Sequence, residues 1–220
     1  MSTIIYLWRI KRKYLLLALL FMATNKLILI KNPKIKFIKL LGTGKGETFT
    51  PKDADIYRWG LLVTIDSDSI AALDKSLVVK SWQKISKFEY RVILKPIASH
   101  GKWSGKEPFE IEKSDWSGKV AAVTRARIVW RKNFLFWSAV PPVTESLHSA
   151  SGLIAAIGIG EAPIGLQGTF SIWDSGSALR QFAYKGAAHT DAIKATSLNN
   201  WYSEELFARF AVIQERGRLN

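Results

Sequence analysis

The chain contains two stretches that repeat one another, and this internal duplication constrains the fold more than any other feature. In each copy a glycine-rich turn leads to an alternating strand that ends in aspartate, then to a helix and a further strand. The turns lie at 42–44 and 158–160, and the aspartates are Asp66 and Asp174. A unit used twice usually packs against its own copy, and the surfaces between copies can enclose a pocket.

Hydrophobic periodicity predicts the same order of elements in each half: strand, helix, strand, strand, helix, strand, which is the ferredoxin-like order. Two such lobes with their antiparallel sheets face to face would form a pseudo-dimeric α/β barrel of the α+β class. We predict a first lobe at 1–98, a linker at 99–118 rich in Ser, Gly, Lys and Glu, and a second lobe at 119–220. The predicted strands are 3–9, 35–41, 58–66, 88–97, 120–130, 153–159, 168–173 and 206–214, and the predicted helices are 13–29, 68–85, 133–139 and 175–198.

The chain of 220 residues has no cysteine. This excludes disulfides, cysteine-ligated zinc, protein-held iron–sulfur clusters, a thiolate-ligated haem and a cysteine nucleophile. Its content of 48% apolar and 23% charged residues is ordinary for a globular protein. The absence of cysteine fits a reducing cytoplasm, where we expect the protein, either free or peripheral to the inner face of the membrane.

The net charge of +14 is concentrated near the amino terminus, because residues 1–46 hold ten Lys and Arg and no acidic residue. Such an excess favours anionic lipid, an acidic protein or nucleic acid as a partner, although a solvated basic face would show the same composition. The apolar run at 14–23 follows a basic cluster but is half the length that a bilayer requires. We predict a first helix that is buried, or that touches a membrane with one side.

Known catalytic and ligand-binding motifs are largely absent. The glycines at 42, 44 and 46 resemble a phosphate-binding loop, but neither Gly-Lys-Ser/Thr nor a following helix is present, so they predict a tight turn and bulge. The chain has no H-E-x-x-H motif, no Gly-x-Ser-x-Gly motif and no paired carboxylates at glycosidase-like spacing. Its basic segments lack interleaved aromatics, so neither a hydrolase nor a sequence-specific nucleic-acid-binding protein is favoured.

Of the three histidines, His100 lies in the predicted linker and His148 in a serine-rich loop. His189 belongs to a helical stripe that should face the sheet. Gly186, one turn earlier, would give clearance to a flat ligand or would break the helix. From position alone, a hydrogen-bonded core histidine is favoured over a ligand. The stripe consists of Leu179, Phe182, Gly186, His189 and Ile193.

Arg125 and Arg127 lie two apart on a predicted strand and therefore share a face. On an internal face they need carboxylate partners, either haem propionates or protein acids such as Glu161 or Glu204; on an external face they are solvated. Arg209 in the last strand is a third candidate. The nine Trp and eleven Phe would suit a polyene or porphyrin site, and equally an ordinary core.

Eight segments spread over nearly the whole chain carry the pattern of a known family. They are KLLGTGKGETFTP at 39–51, GKWSG at 101–105, VTRARI at 123–128, FW at 136–137, IGIGE at 157–161, TFSIW at 169–173, HTDAI at 189–193 and WYSEELFARF at 201–210. With these segments the chain resembles the spheroidene monooxygenases, carotenoid-oxidising enzymes of bacteria.

The resemblance implies a haem-dependent oxygenase that introduces a keto group at C-2 of an acyclic carotenoid, using O₂ and reduced ferredoxin. It implies that His189 is the axial ligand of the haem iron, with Gly186 beside it. Arg125 and Arg209 would bind propionates or assist catalysis at the distal side, whereas Arg127 receives no role.

Two alternatives stay open: a peroxidase-like haem enzyme of the same architecture, and a non-catalytic barrel that binds a small apolar ligand. The expected partners are a carotenoid, O₂ and an acidic ferredoxin steered to the basic lobe, and not nucleic acid. Membrane contact through that lobe, and an oligomer, are left open.

Overall fold

The structure is a computed structural model in which eight antiparallel strands form one closed barrel with helices on its outside. The strands are β1 Ser2–Ile10, β2 Ile35–Gly44, β3 Ala54–Ile65, β4 Ser86–Gly101, β5 Val120–Ile128, β6 Leu153–Gly160, β7 Gly168–Trp173 and β8 Tyr202–Gly217. The helices are α1 Leu15–Leu29, α2 Ile70–Asp74, α3 Leu77–Ile85 and α4 Gly176–Lys185. The structure describes residues 1–112, 114–128, 144–161, 168–185 and 202–219.

The strand order around the barrel is β1-β3-β2-β6-β7-β5-β8-β4. Each half therefore has the same internal order, β4-β1-β3-β2 in the first and β8-β5-β7-β6 in the second. A long ladder between β4 and β8 joins the halves on one side, and a two-residue ladder between β2 and β6 joins them on the other. The predicted α+β class with eight antiparallel strands is confirmed.

The strands alternate between an inner face that lines the barrel and an outer face that helices cover. On β8, Leu206 and Phe210 point inward, and Phe207 packs in an outer cluster. Trp103 and Phe109, from the predicted linker, also pack inside the barrel, and Phe109 meets Phe210 edge-to-face with ring centroids 4.9 Å apart. These side chains fill the space between the two halves, where the duplication alone allowed a pocket.

The outer face of the first half is covered by α1 and α3. Trp8 of β1 stacks on Trp82 of α3 with ring centroids 5.2 Å apart. The prediction of a single helix over 68–85 is wrong, because the helix is interrupted between α2 and α3. Ser76 there has an extended backbone, and its hydroxyl accepts a hydrogen bond from the Val79 amide as the N-cap of α3. Serine competes for backbone hydrogen bonds inside a helix and is favoured at its start, which explains the break.

The strands at the join between the halves are longer than predicted. β4 runs on to Gly101, so the connection between the halves begins three residues later than its composition indicated. β2 continues through Gly42 and Gly44, with a register shift after Gly42 that confirms the predicted bulge. The turns predicted at 42–44 and 158–160 are wrong, because both stretches lie within strands, β2 and β6. The predicted helix 133–139 and the second part of helix 175–198 lie outside the described residues. Among the helices that the structure describes, none has the length and apolar character needed to cross a bilayer.

Candidate active site

Small side chains surround Arg209 on the outer face of the sheet in the second half. The strand register places Arg209 of β8 opposite Ala98 of β4 and Ala122 of β5. The same row continues from Ala122 to Ser171 of β7 and then to Ala156 of β6. No side chain beside Arg209 in this five-strand row is larger than serine, so the row forms a shallow floor.

A second row of short side chains lies beside the first. Thr124 of β5 is opposite Thr169 of β7, which is opposite Gly158 of β6. The row continues through Phe207 of β8 to His100 of β4, and these two side chains are bulky. Ala122 and Ser171 on this floor are only 3% and 6% exposed, and Phe49, Leu147 and Leu179 pack in the same outer cluster as Ala122, so other side chains largely cover the floor in the structure.

An aromatic wall borders this floor on the side of α4. Trp173 of β7 and Phe182 of α4 have ring centroids 5.3 Å apart, and the Trp173 indole N–H donates to Ser171 Oγ at 2.9 Å. Leu179 of α4 is buried in the same cluster. The predicted inward stripe of this helix is thus confirmed for Leu179 and Phe182, while Gly186 and His189 lie outside the described residues.

The Arg209 side chain carries one of five buried nitrogens without a hydrogen bond among the described residues, and the Nε of Arg125 is another. The Nε of Arg209 is buried and donates no hydrogen bond to the part of the chain that the structure describes. Leaving a buried charged donor unpaired costs free energy, typically more than 1–3 kcal/mol. A carboxylate or other anion bound on the floor would remove this cost.

Arg125 lies on the opposite face of the sheet, inside one end of the barrel. It is only 3% exposed, and its guanidinium contacts Glu161 at 3.2 Å and also forms an ion pair with Glu204. The guanidinium lies 5.7 Å from the ring centre of Trp103. Lys39 pairs with the other oxygen of Glu161, so two cations and two carboxylates balance in one cluster, which we call the inner ion cluster.

The tight turn after Trp103 completes the inner ion cluster. Ser104 and Gly105 have φ values of 55° and 72°, and their backbone N–H groups donate to Glu204 at 2.9 and 2.6 Å. Burial alone would raise the pKa of Glu204, but these two amides and Arg125 lower it to about 2. Burial lowers the pKa of Lys39, while the carboxylate of Glu161 opposes this shift.

The sequence left open whether Arg125 pairs with haem propionates or with protein acids. In the structure it pairs with two protein carboxylates, Glu161 and Glu204. Sequence reasoning named Glu161 and Glu204 but missed Lys39 and Trp103, although both belong to segments that carry the family pattern. Five of the eight segments meet at the inner ion cluster: 39–51, 101–105, 123–128, 157–161 and 201–210. The structure does not bring Arg125 and Arg209 to one site, and a role for Arg125 in cofactor binding or catalysis stays a prediction without a contact to support it.

The remaining candidates border these arrangements: the strand register places His100 opposite Phe207 at the edge of the floor and Arg127 opposite Glu204. His100 is exposed near the end of β4, and Arg127 is exposed on β5. His148 lies in a short helical stretch at 144–148, with its ring centre 6.0 Å from that of Phe49. Within the described residues, His, Cys, Asp and Glu side chains form no group of three or more that could hold a metal ion.

The architecture, an antiparallel α+β barrel with outer helices, can be compared with the folds of solved structures. A solved aldoxime dehydratase in complex with butyraldoxime has the same fold, with a TM-score of 0.53 and 10% identity, over 96% of this chain and 78% of that one. At this identity the likeness concerns the fold alone. No protein-family model matches the chain.

Sequence comparison identifies the family. The chain is 36% identical to the spheroidene monooxygenase of Cereibacter sphaeroides over 201 residues, which is 90% of this chain and 62% of that protein. It is 35% identical to that of Rhodobacter capsulatus over 84% of this chain and 78% of the relative. The corresponding figures for Rubrivivax gelatinosus are 33%, 84% and 72%. The chain belongs to the spheroidene monooxygenase family, and it spans less than two thirds of the length of the Cereibacter protein.

Proposed function

We propose that the chain is a haem-dependent monooxygenase that introduces a keto group at C-2 of an acyclic, spheroidene-like carotenoid, with O₂ and reduced ferredoxin as co-substrates. Family membership carries the activity, since three relatives named spheroidene monooxygenase are 33–36% identical to the chain. The matching strand order of the two halves further supports a tandem of ferredoxin-like lobes, with the reaction assigned to the second lobe.

The residues around Arg209 fit a haem in two respects. Apart from Phe207 and His100 at its β8–β4 edge, the floor consists of Ala, Ser, Thr and Gly residues, whose low relief suits a planar macrocycle. The buried Nε of Arg209 is a cationic donor with no partner among the described residues, and a propionate carboxylate would satisfy it. His189 comes four residues after the end of α4 in the sequence and would be the protein ligand of the haem iron, and Gly186 would leave room for the macrocycle.

The chain's own residues have separate tasks in this proposal. His189 would have to be neutral to coordinate iron, so that one ring nitrogen could bind the metal and the other could donate a hydrogen bond. Arg209 would hold and neutralise a propionate, while Trp173 and Phe182 would form an apolar border that limits water. When bound, the haem would supply the reduction and activation of O₂.

The chemistry at the carotenoid consists of two successive hydroxylations at one carbon, which give a gem-diol that loses water to a ketone. Each hydroxylation consumes one O₂, two electrons and two protons and releases one water. An acidic ferredoxin is the proposed electron donor, because the basic residues at 1–46 would steer it electrostatically. That association should weaken as the salt concentration rises.

Titration of the purified chain with hemin tests the cofactor. We expect a Soret band that His189→Ala abolishes or shifts and that His148→Ala leaves unchanged. Arg209→Met should raise the dissociation constant of hemin about tenfold, since a charge-assisted hydrogen bond is lost. The exposed Arg127→Met is its matched control. If the wild-type chain shows no Soret band, the haem proposal is refuted; a band unchanged in His189→Ala refutes the axial ligand.

A carotenoid assay then tests the reaction. The haem-loaded chain is supplied with spheroidene, O₂ and reduced ferredoxin, and the product is identified by mass. The proposal requires a product that has gained one oxygen and lost two hydrogens. Oxidation of general peroxidase substrates with hydrogen peroxide, without a carotenoid ketone, would favour the peroxidase-like alternative. Carotenoid binding without turnover would favour the non-catalytic barrel.

A further inference from the structure

Helix α1 exposes a row of large aliphatic side chains to solvent. Leu16, Leu20 and Leu27 recur at spacings of four and seven and therefore share one stripe of the helix, which lies opposite the stripe that packs on the sheet. Leu16 is 81% exposed and Leu27 is 66% exposed. We call the exposed set the α1 ridge, and it consists of Leu16, Leu19, Leu20, Leu27, Ile28 and Ile30.

The opposite stripe of α1 already anchors the helix to the barrel. Ala18 and Leu29 are buried against the sheet, and Phe21 meets Trp82 edge-to-face at 5.4 Å. The α1 ridge is therefore not needed to attach the helix to the fold. Soluble proteins rarely expose a contiguous apolar patch of this kind unless it binds something.

Helix α3 packs on the same outer face of the barrel, and its solvent-exposed side can be compared with that of α1. Its exposed positions are mainly polar, namely Lys80, Gln83 and Lys84, with Leu77 at its first position as the one exposed leucine among its described residues. Its buried positions are apolar, so it has the usual two-sided pattern. In α1 both sides are apolar, which marks the α1 ridge as a second binding face.

Basic side chains frame the α1 ridge. Lys11, Arg12 and Lys13 precede the helix and are exposed, and Lys26 and Lys31 are exposed near its other end. Residues 1–46 contribute no carboxylate to this surface. An aliphatic strip with a basic border is the pattern of helices that lie in the interface of a membrane.

We propose that the α1 ridge docks the protein on the surface of an anionic lipid bilayer. The helix would lie parallel to the surface, since its 15 residues extend about 22 Å and one side of it remains attached to the barrel. The aliphatic side chains would enter the acyl boundary, and the lysines and arginines would meet the phosphate groups of the lipids.

Two other occupants fit the surface less well. A second copy of the chain, related by a two-fold axis, would bring one basic border against the other without intervening carboxylates from residues 1–46. An acidic soluble protein would match the charge but would leave unexplained the six exposed aliphatic side chains. A bilayer provides both an apolar layer and negative charge.

Vesicle flotation of the purified full chain tests this proposal without haem or carotenoid, so its outcome is independent of the proposed enzyme activity. The vesicles contain either phosphatidylcholine alone or equal parts of phosphatidylcholine and phosphatidylglycerol. We expect binding to the mixed vesicles, with a partition coefficient that falls about tenfold in the double variant Leu20→Gln/Leu27→Gln. The control is Leu77→Gln, which removes a leucine of α3 that is more exposed than Leu20 or Leu27 and should leave binding unchanged. Lys13→Gln/Lys31→Gln should weaken binding only to the mixed vesicles, and more so at low salt.

Circular dichroism confirms that each variant is folded before its binding is compared. Absence of binding to the mixed vesicles overturns the proposal, as does an equal loss of binding in Leu77→Gln. Equal binding to both vesicle types refutes the role of the basic border. If sedimentation shows a dimer that Leu20→Gln/Leu27→Gln dissociates and no vesicle binding, the occupant of the α1 ridge is a second copy of the chain.

Discussion

Replacement of Glu204 by glutamine tests whether the inner ion cluster stabilises the second half of the barrel. In the folded protein this carboxylate accepts hydrogen bonds from the amides of Ser104 and Gly105 and pairs with the buried Arg125. Glu204→Gln preserves the shape of the side chain and removes its charge. Arg125 then keeps only Glu161 as a carboxylate partner.

The size of the effect follows from the pKa of Glu204. Its fall from 4.5 to about 2 in the folded state corresponds to about 3 kcal/mol of stability at neutral pH. The side chain remains 15% exposed, so solvent screens part of this contribution. We therefore expect Glu204→Gln to lower the free energy of unfolding by about 2 kcal/mol at pH 7.

The pH dependence has a defined sign. Because the pKa is depressed in the folded state, the stabilisation is fully present above the unfolded pKa near 4.5 and is lost as the pH falls towards about 2. Urea unfolding of wild type and variant at pH 6, 4 and 3 should show a stability difference that shrinks by roughly half or more between pH 6 and pH 3.

The neighbouring Glu205→Gln is the matched control, since Glu205 is exposed. Its effect should stay within about 0.5 kcal/mol at every pH. A Glu204→Gln variant as stable as wild type at pH 7 would refute the reasoning. So would a stability difference that does not change on acidification, because the loss would then come from packing rather than from charge.

Three further substitutions test the fold by urea unfolding. Gly46→Ala should lower the free energy of unfolding by at least about 2 kcal/mol, because φ is 92° and a Cβ would lie 2.3 Å from the carbonyl oxygen of Ala156. Gly105→Ala, also at positive φ but with open space around the Cβ, should lower it by about 1 kcal/mol. Equal losses in the two variants would contradict the role of the close contact. Trp103→Ala should cost about 3–5 kcal/mol, since the indole is buried inside the barrel, and a loss below about 1 kcal/mol would show that the segment is not part of the core. Ser76→Ala should cost about 1 kcal/mol through loss of the α3 N-cap, whereas Ser76→Asp should retain stability, and the reverse order would exclude the capping role.

Much of the fold could be predicted from the sequence because the pattern of each half is repeated. Two copies of one element order lead to two four-stranded units of identical internal order, which the structure contains. The helix break at Ser76 was missed, since the apolar pattern continues across it and only the capping preference of serine marks it. The interior position of Trp103 and Phe109 was missed because the polar residues around them dominated the composition of their segment.

The candidate site was less predictable, because strand periodicity shows which residues share a face but not which face points inward. The spacing of Arg125 and Arg127 was informative, yet only the barrel shows that Arg125 faces Glu161 and Glu204. The floor around Arg209 depends on the register of five strands, and register is not readable from isolated alanines and serines. His189 was found through its helical stripe and the family resemblance, and its role stays a prediction.

The residues that join the two halves also fill the hollow between them. Trp103 and Phe109 precede β5, so a chain cut after residue 112 would leave this filling on the amino-terminal fragment alone. The carboxy-terminal fragment would expose the apolar inner faces of β5 to β8 to water and should aggregate when produced by itself. Production of both fragments together should restore a soluble complex, because Trp103 and Phe109 of the first fragment would again cover the apolar inner face of the second.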